Sequence, residues 1–192
     1  MHKEGFLRCT YIWGKQMTNV WDEGTQVLSD LSNSMREDRA RGEDWEGSPF
    51  EWMLSLPPGT KGAVGRQMVA YWAESSGFYV SARGLKLEID GHLVAIKLST
   101  LWEGAEFKFQ QIRDEEYDFL LFVGICPQDV YAWIIPKDVV LHNLRGSSGQ
   151  HTGKGASETF WETVRPTSPP RWMFPYGNRL SDVRDLIVDA TI

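Results

Sequence analysis

The sequence predicts an α/β fold in which a mixed central sheet of about five strands is flanked by helices. Three observations support this fold class. One segment has the apolar spacing of a helix, two neighbouring segments alternate around an Asp-Gly pair, and two later segments have the apolar composition of buried strands. The chain has 192 residues, 42% of them hydrophobic, so it can bury a substantial core.

The first predicted element is a helix from about residue 61 to residue 76, directly after Pro57-Pro58-Gly59. Val64, Met68 and Trp72 recur at the spacing of one helix face. Thr60 is positioned as an N-cap, because its hydroxyl can accept a hydrogen bond from an unpaired backbone N–H of the first turn. A short strand-like stretch, residues 78–80, follows.

The next two segments, residues 85–90 and 93–99, predict a β-hairpin, because Asp90-Gly91 between them is typical of a two-residue turn. With that turn, Lys86 faces Ala95, and Leu87, Val94 and Ile96 share one buried face. The opposite face has two interpretations: a solvated surface with compensating charges, or a functional site. It carries Lys86, Glu88, Asp90, Ala95, Lys97 and Ser99.

The remaining pattern predicts three more strands and a terminal helix. Strand-like segments occupy residues 106–109, 117–125 and 130–135, with a polar link of residues 110–118 between the first two. Gly/Ser-rich residues 143–156 and Pro-rich residues 166–171 are predicted loops. Residues 180–187 are predicted to form the last helix.

This order of elements resembles the PD-(D/E)XK nuclease superfamily over roughly residues 58–138. The resemblance is carried by the Gly-containing helix, the hairpin, the strand ending in Ile96-Lys97-Leu98-Ser99, the QIR…YD segment and the two strands after it. It implies a restriction-endonuclease-like fold that binds double-stranded DNA and cleaves it with Mg²⁺ held by carboxylates. It also implies a role in bacterial or phage restriction, defence or DNA mobility.

The sequence departs from the family motif at Ala95, where the pattern requires Asp or Glu two residues before Lys97. Three explanations remain open. Ala95 replaces a catalytic acid by engineering; or Glu88 and Asp90 have taken over the Mg²⁺ beside Lys97; or the site is a natural relic that binds anions without metal. In the last case Arg66, Lys86 and Lys97 suit a phosphate.

Further residues have the chemistry of DNA contacts. Gln and Arg can form paired hydrogen bonds with adenine and guanine edges, and Lys can bind phosphates. The predicted DNA-binding set is Arg66, Lys86, Lys108, Gln111, Arg113, His151 and Lys154. The nine tryptophans are either core residues or, in part, a base-stacking surface.

Composition excludes several other classes of protein. The net charge of −6 excludes a polybasic nucleic-acid coat, and the two cysteines form neither a disulfide framework nor a zinc motif. No signal peptide or membrane span is predicted, so a cytoplasmic location is expected. The alternative function is an inactive nuclease-like module that binds a partner protein or a second copy. The predicted parts are an N-terminal helical region (1–57), a nuclease-like core (58–140), and loops with a C-terminal helix packed on that core (141–192).

Overall fold

The structure is a computed structural model that describes residues 45–144 and 159–190. All of them belong to one compact unit, Arg41–Ile192. A 3-10 helix, Glu51–Ser55, leads into helix α1, Pro58–Ser75. The helix begins before the predicted cap Thr60, and no side chain caps it. Proline at the first helical position needs no N–H partner and has its φ fixed in the helical range, so it replaces the cap.

Five strands form the central sheet in the order β1-β2-β3-β5-β6. β3 and β5 are parallel, and every other neighbouring pair is antiparallel. This mixed sheet with flanking helices confirms the predicted fold class. The strands are β1 Val80–Arg83, β2 Lys86–Ile89, β3 His92–Thr100, β5 Phe119–Ile125 and β6 Val130–Pro136.

The β2–β3 hairpin has the predicted register. Leu87 pairs with Val94, and Ile89 pairs with His92 across the turn. Leu87 and Val94 are buried, and Ile96 is half-buried against the same core, so the predicted apolar face is confirmed. Helix α1 packs on this face so closely that a Cβ on Gly65 would lie 2.7 Å from Cδ1 of Leu98.

The opposite face of the sheet is not simply solvated, because a second sheet covers part of it. Strands β4, Phe107–Arg113, and β7, Thr159–Val164, pair antiparallel as a two-stranded ribbon. The segment predicted as residues 106–109 is therefore longer than expected, and its partner strand was not predicted. Apolar side chains of the ribbon form a second core against the sheet, in which Ala95 is buried.

Two further helices complete the fold. Helix α2, Lys137–Leu144, includes residues that the sequence predicts as the start of the Gly/Ser loop, whose later residues lie outside the described ranges. Helix α3, Leu180–Ala190, packs against β6 and confirms the predicted terminal helix. Arg179, just before it, pairs with Asp129 and lies 4.1 Å above the ring of Tyr131. Within the described ranges, no helix is long and apolar enough to cross a membrane.

Candidate functional site

The amine of Lys97 is a half-buried cationic group on the ribbon side of the sheet. Because side chains alternate along β3, Lys97 and Ser99 face the ribbon while Leu98 faces α1. The Lys97 amine donates a hydrogen bond to the backbone carbonyl of Gln111 in β4. The hydroxyl of Ser99 accepts a hydrogen bond, 3.0 Å long, from the backbone N–H of Lys108 in the same strand. Two polar side chains of β3 therefore attach the ribbon to the central sheet.

A β-bulge in β4 presents the carbonyl that Lys97 binds. The pairing of β4 with β7 shifts between Phe109 and Ile112, so two residues of β4 lie opposite one residue of β7. Gln111, inside the bulge, has a φ of 54°, an uncommon conformation for a residue with a side chain. Bulges turn backbone and side chains away from their regular directions. Here the bulge carries the backbone that binds Lys97.

Other charged groups surround Lys97. Burial lowers the pKa of its amine below the ordinary 10.5, the carboxylate of Glu115 opposes this shift, and the positive charges of Arg113 and Lys86 add to it. The amine of Lys86 lies 3.3 Å from the carboxylate of Glu115. We call Lys86, Lys97, Arg113 and Glu115 the lysine cluster. Three cations share one carboxylate there, so the cluster has the charge of an anion-binding site.

The acids predicted to hold Mg²⁺ have other partners. The carboxylate of Glu88 lies 2.7 Å from the guanidinium of Arg83. Asp90, in the hairpin turn, accepts a hydrogen bond of 2.7 Å from the backbone N–H of Tyr79. Ala95 has no ligand atom, and residues 45–144 and 159–190 contain no group of three or more His, Cys, Asp or Glu side chains arranged for a metal. These donors do not fit the Mg²⁺ site that the family motif implies.

The structure brings together only some of the predicted DNA-binding residues. Lys86 and Arg113 lie near Lys97, and Lys108 and Gln111 lie on the neighbouring strand. Arg66 belongs to α1, which packs on the other face of the sheet. His151 and Lys154 lie outside the described residues.

The sequence interpretation missed two residues, one in the lysine cluster and one exposed on the ribbon. Glu115 was not assigned a role, although it pairs with Lys86. Trp161 was grouped with the other tryptophans, yet 42% of its surface is exposed on β7. The aromatic and β-branched residues of Thr159–Val164 were the available signal for a strand. Asp118, directly before β5, accepts a hydrogen bond of 2.7 Å from the backbone N–H of Leu93.

Comparison with known proteins finds similarity among solved structures. No protein-family model matches the chain. No curated protein matches it either. Among solved structures, the chain is similar to the bacterial homing endonuclease I-Ssp6803I, with 18% sequence identity and a TM-score of 0.42 over 70% of this chain and 94% of that chain. A similarity of this size assigns neither a family nor a function.

Proposed function

We propose that this chain is a DNA-binding protein of nuclease type that binds the phosphate backbone of duplex DNA at the lysine cluster. The observation that supports this proposal is the position of Lys97. Its amine is half-buried, bonded to the Gln111 carbonyl and close to the charges of Lys86 and Arg113. Lysines held together in this way repel one another unless an anion neutralises them, and a phosphate supplies that charge.

Glu115 offsets part of the positive charge of the lysine cluster when no DNA is bound. Its carboxylate pairs with Lys86 at 3.3 Å, and its negative charge favours the protonated form of the Lys97 amine. A phosphate oxygen that approaches Lys86 would take the place of this carboxylate. Exchange of one anion for another keeps the lysines neutralised in both states, so binding does not require the cluster to be rebuilt.

We further propose that the chain does not by itself carry out the Mg²⁺-dependent cleavage that its sequence resemblance implies. Position 95 supplies no carboxylate, and Glu88 and Asp90 are bound to Arg83 and to the Tyr79 backbone. These contacts favour the relic interpretation over a migrated metal site. The amine of Lys97, bonded to a carbonyl, is placed to bind charge rather than to act with a metal-bound water.

The first test is the salt dependence of duplex binding. Each phosphate contact contributes about 0.9 to the slope of log K against log salt concentration. We expect Lys86→Ala and Arg113→Ala each to reduce that slope by about 0.9 and to weaken binding at low salt. The measurement is fluorescence anisotropy of a labelled duplex across a salt series.

A matched control is Arg184→Ala, which removes an exposed arginine from α3, where it lies 3.5 Å from Asp185. The slope should not change in this variant. Equal losses in all three variants would show non-specific attraction and contradict the lysine cluster as the site. A folded wild-type protein that binds no duplex at low salt would leave the alternative, an interaction module.

The second test restores the missing acid. Ala95→Glu alone should remain inactive in plasmid nicking with Mg²⁺, because the new carboxylate would pair with Lys86 and Lys97 instead of binding metal. Lys86→Asp combined with Ala95→Glu removes one of these competitors and supplies two carboxylates, so we expect nicking that a chelator abolishes. Robust cleavage by the single variant would show instead that Ala95 is the only defect of an otherwise complete nuclease site.

A further inference from the structure

The ribbon of β4 and β7 has two faces of opposite character. Apart from Glu162, its inner face is apolar and packs against the central sheet, with Phe107, Phe109, Ile112, Phe160 and Val164. Alternation along the strands places a polar set on the outer face. This set, which we call the outer ribbon face, is Lys108, Gln110 and Arg113 from β4 with Trp161 and Thr163 from β7, together with the exposed bulge residue Gln111.

The pairing of the strands brings these side chains next to one another. Lys108 pairs directly with Thr163, and the bulge at Gln110 and Gln111 lies opposite Trp161. Both glutamines are exposed. Two amide groups that can each donate and accept hydrogen bonds therefore lie at the middle of the ribbon, with a cation toward each end of β4.

The charges on this face suit a polyanion. Lys108 and Arg113 are positive, and exposed Arg165 follows directly after β7. The acid beside them, Glu106, is already paired with Lys108 at 3.3 Å. Three acids follow β4 at residues 114–116, and of these Asp114 is paired with Lys137 at 2.8 Å and Glu115 with Lys86 at 3.3 Å. The ribbon itself therefore presents cations although the chain as a whole carries −6.

Aromatic rings add flat surfaces to the ribbon. The amine of Lys108 lies 4.7 Å above the ring of Trp102, which keeps the lysine side chain over the ribbon. Trp161 exposes 42% of its surface on the other strand. Tryptophan is enriched among the residues that contribute most to binding at interfaces.

We propose that the outer ribbon face enters the major groove of duplex DNA and reads base edges with Gln110 and Gln111, with adenine as the preferred contact. This proposal rests on the proposed DNA-binding function and adds how sequence is recognised. The major groove is wide enough for a two-stranded β-ribbon, and glutamine matches the N6 donor and N7 acceptor of adenine. Lys108 and Arg113 lie on both sides of the glutamines, where they reach the phosphates that border the groove.

The bond from Lys97 links this reading surface to the lysine cluster. It fixes the backbone of Gln111 at the bulge, so the glutamine is held by the same amine that would bind phosphate. A side chain whose backbone is fixed loses less conformational entropy when it binds a base. The position of Gln111 in the outer ribbon face is therefore coupled to the lysine cluster through its backbone.

The experiment is selection of bound sites from a random duplex library, followed by affinity measurements on the selected site. The wild-type protein should select a site that contains adenine. Gln110→Ala combined with Gln111→Ala should reduce the preference for that site over a scrambled duplex by roughly tenfold or more, with the salt slope unchanged. The matched control is Gln67→Ala, which removes a glutamine exposed on α1 and should have no effect.

A second measurement changes the DNA instead of the protein and compares the wild-type protein with the double glutamine variant. Replacing the selected adenine by 7-deazaadenine removes the N7 acceptor from the major groove, so it should weaken wild-type binding and leave the double glutamine variant unaffected. Salt-dependent binding without any sequence preference would overturn the ribbon proposal and leave the proposed function standing. A loss of site preference in the Gln67→Ala variant as large as that in the double glutamine variant, or no effect of 7-deazaadenine on wild-type binding, would also overturn it. Absence of duplex binding would overturn both proposals.

Discussion

Glu162 places a carboxyl group on the otherwise apolar inner face of β7. It lies between Phe160 and Val164 along β7, pairs with Phe109 and is half-buried. Burial raises the pKa of this carboxyl from 4.5 to about 7, opposed only in part by a backbone hydrogen bond from Thr163. At neutral pH the fold therefore holds a group that is partly protonated.

The sign of this pKa shift gives a pH prediction. A carboxyl whose pKa is higher in the folded state stabilises the fold fully below 4.5, and that stability is lost as the pH rises through about 7. Glu162→Gln should therefore raise the free energy of unfolding at pH 8 by about 2 kcal/mol, after allowance for solvent screening, and change it little at pH 4. Urea unfolding at both pH values measures this.

The control for Glu162→Gln is Glu103→Gln, which changes an exposed glutamate and should leave the difference between the two pH values unaltered. If Glu162→Gln destabilises the protein at pH 8, the carboxylate has a favourable role that burial alone does not describe.

Lys97 is also costly to the fold, because burial lowers the pKa of its amine and thus disfavours the charged form present at neutral pH. We expect Lys97→Met to have a Tm at or above that of the wild-type protein and to bind duplex DNA more weakly. Replacing a desolvated charge by an apolar side chain of similar length is often neutral or stabilising. Thermal unfolding followed by circular dichroism tests the first part. A Tm lower by several degrees would mean that the bond to Gln111 is needed to hold the ribbon.

At the scale of elements, replacing either of two glycines in α1 by alanine should change the stability of the fold in opposite directions. A Cβ on Gly65 would lie 2.7 Å from Cδ1 of Leu98, whereas a Cβ on Gly62 meets nothing within 4 Å. Gly62→Ala should stabilise the helix by up to about 1 kcal/mol, because alanine restricts the unfolded chain and favours helix. Gly65→Ala should cost about 1–3 kcal/mol, because Leu98 or the helix must shift. Equilibrium unfolding of the two variants compares them directly, and equal effects would show that α1 is not held closely against β3.

The hairpin was predictable because its information is local. Asp90-Gly91 fixes the turn, and the turn fixes the register by which Leu87 meets Val94. The ribbon was not predictable in this way. Its strands are separated in sequence by β5, β6 and α2, and no periodicity states that two distant segments will pair. The sequence has no Gly or Asn at Gln111 to indicate a bulge there. The hydrogen bond from the Lys97 amine to the Gln111 carbonyl could therefore not be predicted.

For the whole molecule, the structure brings some of the predicted site residues together and separates others. Lys86, Lys97 and Arg113 were predicted and are close together, whereas Arg66 belongs to a helix on the other side of the sheet. Side-chain alternation sorts residues to the two faces of one strand, but it does not say which layer will cover each face. Ala95 illustrates the difference, since it was placed on a polar face and is buried beneath the ribbon layer.

The separation of β4 and β7 along the chain also orders events during synthesis and folding. Residues 107–113 leave the ribosome long before their partners at residues 159–164, and in that interval the hairpin, the parallel pair and β6 can already assemble. Joining such distant segments is entropically costly and therefore comes late. A nascent or truncated chain would hold its central sheet without the surface proposed to read DNA. The surface proposed to read base edges would thus be completed only when β7 has joined β4.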